Sequence, residues 1–158
     1  MGDSLDGRPM IDPHSPVVRL CAEGMALEGT PAEARRRFEA AWVARTDDYD
    51  AAIAAHFLAR HQETPLATLH WNKLALRHAT AVTDGRATAF MASLYLNLAA
   101  AHASLEEREA AVSALQQAAY HLAMLPPEGY RNFIAMGIRR LAQQLGMGED
   151  LAADSRSP

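Results

Sequence analysis

The sequence predicts an all-α protein of about three helical hairpins followed by a C-terminal capping helix, and three observations carry that reading. The first is composition: 49% of the residues are AVILMFWYC, yet only 6% are aromatic and 22% charged. Small and aliphatic side chains must therefore do most of the packing, which favours closely packed helices over a β sandwich. The second is repetition, because Thr30-Pro31 recurs as Thr64-Pro65 after 34 residues, a period that belongs to arrays of helix-turn-helix units. The third is the stretch from Ser93 to Leu125, which reads as two amphipathic helices folded against each other. Each of them carries more apolar surface than its partner can cover, so a further hairpin has to stack on the pair.

In chain order, Met1 to Ser15 is polar and broken by proline, and is expected to lack regular structure. Val17, Leu20, Cys21, Met25 and Leu27 then suggest a first helix closed by Gly29. Thr30, Pro31 and Glu33 make a strong helix start, with Thr as cap, Pro in the first turn and Glu placed to close a capping box. The helix that follows carries Ala34, Phe38 and Ala41 inward, and Trp42 one residue further round is expected to pack on the next unit. Asp47 or Asp48 caps a third helix holding Ile53, Phe57 and Leu58. After the second Thr-Pro start, strict counting by 34 puts Asn72 opposite Phe38, whereas Trp71 is the obvious large residue. A register slip of about one position is expected there, with Trp71, Leu74 and Ala75 inward in either register.

Thr83, Asp84 and Gly85 give a turn, and Ala87 to Ser93 are expected to add roughly two helical turns to the next helix. In the hairpin from Ser93 to Leu125, Leu94, Leu98 and Leu105 share one side of the first helix with Tyr95, Ala99 and His102 beside them. Val112, Leu115, Ala119 and Leu122 line the second, where Ala111 and Ala118 admit a neighbouring backbone. Pro126 and Pro127 end this hairpin. A last helix, Tyr130 to Leu145, has Ile134, Ile138, Leu141 and Leu145 on one face and Arg131, Arg139, Arg140, Gln143 and Gln144 on the others, the single apolar stripe of a cap. Gly146 closes it, leaving a helical domain over 16–146 and an unstructured tail over 147–158.

The hairpin resembles a tetratricopeptide repeat. The family's large, apolar, small and aromatic places along the first helix are taken by Tyr95, Leu98, Ala99 and His102, and its small, large, small places along the second by Ala111, Leu115 and Ala118. Ala34, Phe38 and Ala41 match those same places in the first unit. The copy departs from the pattern at His102, where the family prefers Tyr, and at Glu106, where it prefers a turn Gly. The resemblance implies a right-handed α-α superhelix whose first helices line a concave groove that binds a protein or peptide. A recurrent Asn in that groove pins the ligand backbone, and Asn97 falls on that place; Tyr49, His56 and Arg60 fall on the groove face of the second unit. A full carboxylate clamp also needs Lys and Asn in the first unit, where Leu20 stands instead.

Catalytic chemistry has little to build on. The chain has no glycine-rich phosphate loop, no HExxH, no paired cysteine and no nucleophile elbow. The expectation is accordingly no enzymatic activity, no catalytic residue and no cofactor. Of the seven histidines, His56 and His61 are five apart and His70 and His78 eight apart, so metal-ligand spacing is missing and no metal site is expected. Cys21 reads as a buried structural thiol. A net charge of -4, with 15 Lys and Arg against 19 Asp and Glu, argues against nucleic acid, and the runs Arg35 to Arg37 and Arg139-Arg140 read as solvated helix faces. No stretch is apolar enough to span a bilayer, and the start MGDSLDGRPM has neither a signal-peptide order nor, with Asp6, a myristoylation pattern. The cytoplasm is the expected location, and Ala and Arg abundance with a single Lys, Lys73, suggests a bacterial source. The expected function is an adaptor or scaffold that binds protein or peptide. The alternatives are a small-molecule sensor or regulator and an accessory subunit of an enzyme. Stacking of end helices into a homodimer is a further option, with Trp42, Trp71 and the lengthened first helix of the third unit as the apolar patch.

Overall fold

A computed structural model describes residue 12 and residues 14–148. The expected lead over 1–15 and tail over 147–158 lie outside the described residues except at 12, 14, 15, 147 and 148. The described chain forms seven α-helices and one 3-10 turn, with no strand: α1 (Pro16–Ala26), α2 (Pro31–Ala44), α3 (Asp48–Ala59), α4 (Pro65–Ala81), α5 (Met91–Ser104), α6 (Arg108–Leu122) and α7 (Gly129–Gln144). They fall into two compact units, one of α1 to α4 and one of α5 to α7.

In the first unit α1 pairs with α2 and α3 with α4, and both α1 and α2 also pack on α3. The small, large, small pattern of α2 decides the first pairing, since Ala34, Phe38 and Ala41 are all completely buried. Phe38 stacks on Phe57 of α3 with ring centroids 5.3 Å apart, and on its other side it fills the space beside Gly24 of α1. A Cβ at residue 24 would lie inside the van der Waals shell of that ring, so only glycine lets α1 approach so closely. α3 is the centre of the unit, with eight of its twelve residues buried, five of them alanines. Small side chains allow it to meet three helices at once.

The caps differ in a way the letters do not show. Ser15, Asp47 and Thr64 each accept a hydrogen bond from a backbone N–H in the first turn, Asp47 from Asp50 at 2.8 Å and Thr64 from Ala67 at 3.1 Å. Thr30 makes no such bond, so the capping box expected there does not form. Its ψ is 81°, against 146° at Thr64. The Thr30 N–H donates to the carbonyl of Leu27 at 2.7 Å, so the residue belongs to the turn that closes α1.

Two further expectations are corrected. The register of α4 does not slip: Asn72 and Ala75 are buried, as strict 34-residue counting requires, together with Leu69 and Ala79, while Trp71 and Leu74 are half-buried. Trp71 instead lies edge-on against Trp42 of α2, centroids 5.1 Å apart, so its bulk closes the α2–α4 side. Nor does α5 gain two extra turns. Residues 88–90 form a single 3-10 turn and α5 begins at Met91, giving it 14 residues, the same as α2. The preceding chain is held in a turn, because Asp84 accepts from the Arg86 backbone N–H and side chain, Arg86 reaches Asp47, and Gly85 takes a φ of 85°.

In the second unit α5 and α6 form the hairpin and α7 packs on both. Ala99, Ala111, Leu115 and Ala118 are completely buried, and Ile134, Ile138 and Leu141 of α7 complete the core. α5 ends in a Schellman turn: Glu107 N–H donates to the His102 carbonyl and Glu106 N–H to that of Ala103, both at 3.0 Å. Glu106 has a φ of 59°, the left-handed conformation that favours glycine. α7 ends the same way, with Gly146 in that position at 67°. One expectation about α7 fails: its outer side is not purely polar, for Phe133 and Met136 are exposed there.

Candidate functional site

Three of the four candidate groove residues, Tyr49, His56 and Arg60, stand on α3 or its C-cap, seven and four residues apart, and so share one side of the helix. They do not share an environment. Tyr49 is only 5% exposed, with the Arg86 guanidinium 4.5 Å above its ring. Burial raises its phenol pKa against the lowering effect of Arg86. Arg60 lies at the exposed end, where it pairs with Glu28 at 3.2 Å and reaches over the Phe57 ring. His61 approaches the same Glu28 oxygen at 3.4 Å, so the loop after α1 and the end of α3 converge on one carboxylate.

His56 sits between these extremes, half-buried, its ring edge-on to Phe57. Burial, and then the charge of Arg60, lower its pKa to about 4. At neutral pH it is an uncharged imidazole, and the cation on this part of α3 is Arg60 alone.

Asn97 belongs to α5, in the second unit, and is half-buried. With Ser93, Ala100 and Ser104 it forms a stripe spaced four, three and four residues, the side of α5 left after Ala92, Leu94, Ala99 and His102 turn inward. Ser104 bonds back to the Ala100 carbonyl and Ser93 bonds to Tyr130 of α7, which fixes both ends of the stripe. The stripe is small and polar, and Asn97 presents its largest side chain. His102, at the family's aromatic place, is buried and bonds through Nδ1 to Glu107 at 2.6 Å.

Sequence reasoning missed one cluster. Trp42 meets Trp71 and His78, the Arg45 guanidinium covers its ring at 3.9 Å, and His78 bonds to Asp48 at 2.8 Å. The available signal was Trp42 itself, but nothing in the spacing showed that His78 and Arg45 close around it. Cys21 is buried and its thiol pKa is pushed up to about 12 by burial and by Asp50, so it stays protonated and a poor nucleophile. Among the described residues no group of three or more His, Cys, Asp or Glu is placed to hold a metal ion, and no helix is long and apolar enough to cross a membrane.

Fold and site together define a class, an all-α protein of paired helical hairpins with a half-exposed polar stripe on α5 and a cationic end on α3. No family model, curated protein or solved structure matches the chain.

Proposed function

We propose that the chain is a protein- or peptide-binding module of tetratricopeptide-repeat type, an adaptor or scaffold in the cytoplasm without enzymatic activity, its hairpins stacked as a right-handed superhelix. The observation that carries this reading is the repeated burial pattern of the second helices. Ala34, Phe38 and Ala41 in α2, and Ala111, Leu115 and Ala118 in α6, are each completely buried at the same spacing. The polar residues that the pattern does not use stand on the first helices of the second and third hairpins, Arg60 exposed at the end of a mostly buried α3 and Asn97 half-buried on α5.

Recognition would rest on two groups. The amide of Asn97 both donates and accepts, which suits the alternating N–H and C=O of an extended peptide. Arg60 supplies charge. Its pair with Glu28 is half exposed on both sides, and such pairs contribute about 0.2–1 kcal/mol, so a carboxylate on the partner can replace Glu28 at small cost. His56, neutral at pH 7, offers a hydrogen-bonding aromatic edge, and Tyr49 lies beneath Arg86 at the start of α3. The test is affinity capture by the wild-type chain beside the Arg60→Ala, Asn97→Ala double variant, with circular dichroism confirming that both are helical. A partner retained by the first and lost by the second supports the groove; the same partner on both removes these residues from recognition.

A further inference from the structure

The outer face of α7 has no role in the reading above. Its inner face, Ile134, Ile138, Leu141 and Ala142, is buried in the second unit. On the opposite side Phe133 is 71% exposed and Met136 54% exposed, and with Arg140 they stand three and four residues apart, one row along the helix. Gly137 on α7 lets Leu96 of α5 approach its backbone, which holds the helix with this row outward. From Gly129 to Gln144 α7 carries three arginines and no acidic residue, in a chain whose net charge is -4. Arg131 reaches back to the Leu125 carbonyl, and neither Arg139 nor Arg140 forms an ion pair among the described residues.

We propose that this face docks an acidic amphipathic helix of a partner protein, its apolar residues covering Phe133 and Met136 and its carboxylates pairing with Arg139 and Arg140. Charge selects this occupant. A second copy packed by two-fold symmetry would place the same patch on both sides, bringing arginines together with no acid on either α7 to offset them. Area points the same way: the two exposed side chains offer on the order of 250 Å², against about 800 Å² per partner in a standard stable interface. A membrane-bound helix needs a broad apolar face, and the broad face of α7 is already buried. A short, salt-sensitive contact with an acidic segment remains, and it uses neither Arg60 nor Asn97.

The test is fluorescence anisotropy with the full chain and a fluorescein-labelled peptide of about 16 residues, long enough for four helical turns, bearing Leu on one face and Glu on the other. The Lys-for-Glu counterpart serves as the control. Saturable binding of the Glu peptide alone is expected, weakened about tenfold or more by Phe133→Ser with Met136→Ser, and similarly by Arg139→Gln with Arg140→Gln. Raising salt from about 50 to 200 mM weakens it further, and the Arg60→Ala, Asn97→Ala variant binds as well as wild type. Equal binding of both peptides, no binding, or no loss on removing the arginines overturns the proposal. So does a dimer in sedimentation that dissolves in Phe133→Ser, which assigns the face to a second copy, or binding to anionic phosphatidylserine vesicles lost in the same variant, which assigns it to a membrane.

Discussion

Replacing Glu106 by glycine should stabilise the protein, although it removes a side chain and adds backbone freedom. Glu106 follows the C-cap of α5 with a φ of 59°, and the two Schellman hydrogen bonds of 3.0 Å leave it no other conformation while α5 and α6 stay paired. A residue with a Cβ pays about 1–2 kcal/mol in that region, whereas glycine loses about 0.5–1 kcal/mol more conformational entropy on folding. The carboxylate also stands at the negative end of the helix, an unfavourable contact of about 0.3 kcal/mol when exposed. The net expectation for Glu106→Gly is a gain of about 1 kcal/mol, a rise in Tm of roughly 2–4 °C for a chain of this size. Glu106→Ala separates the contributions, because it removes the charge and keeps the strain, and should change stability by no more than about 0.3 kcal/mol. Urea unfolding followed by circular dichroism reads both. If the glycine variant is no more stable than the alanine variant, the left-handed strain assigned to residue 106 is wrong.

Three other perturbations follow from named contacts. Thr64→Ala should cost about 1 kcal/mol by urea unfolding, the usual loss of an N-cap bond, while Thr30→Ala, at the matching place in the repeat, should cost much less, since Thr30 makes no such bond. Gly24→Ala should destabilise by about 1–3 kcal/mol through overpacking, because its methyl group meets the Phe38 ring; a neutral result by thermal melting would contradict the close approach of α1 and α2. His56, with a folded pKa of about 4 against about 6.5 unfolded, binds fewer protons folded than unfolded. Its contribution to stability is complete above pH 6.5 and is lost as pH falls toward 4, by at most about 3 kcal/mol. His56→Gln should flatten that part of the stability curve measured by urea titration at several pH values.

The legible parts of the sequence were those in which a side chain's size decides its place. Ala34, Phe38 and Ala41 could only pack inward against a close neighbour, and their burial is complete. Thr64 and Asp47 were legible as caps because a short oxygen-bearing side chain before a helix has one nearby set of donors. Thr30 had the same letters and failed, because its role depends on a ψ angle set by the turn before it. Trp71 misled for a related reason: bulk suggested a core position, but a partly buried ring on Trp42 satisfies it, and the smaller Asn72 points inward. The extra turns expected on α5 do not form: residues 88–90 make one 3-10 turn, and before it Arg86 pairs with Asp84 and, across 39 residues that no local pattern links, with Asp47. The candidate site was legible as a set of helix positions. That Tyr49 lies under Arg86, that Arg60 holds Glu28 and that His56 is neutral at pH 7 all depend on groups brought together by folding.

Site-specific photocrosslinking tests the proposed binding function most directly. A benzophenone side chain is placed at Arg60, at Ala100 beside Asn97, or at the exposed Arg36 on α2, and each chain is irradiated with the partner captured by the wild type. The groove account predicts crosslinks from residues 60 and 100 and none from residue 36. Crosslinking from residue 36 alone would contradict it, because recognition would then lie on a second helix and neither on the side of α3 that carries Arg60 nor on the side of α5 that carries Asn97.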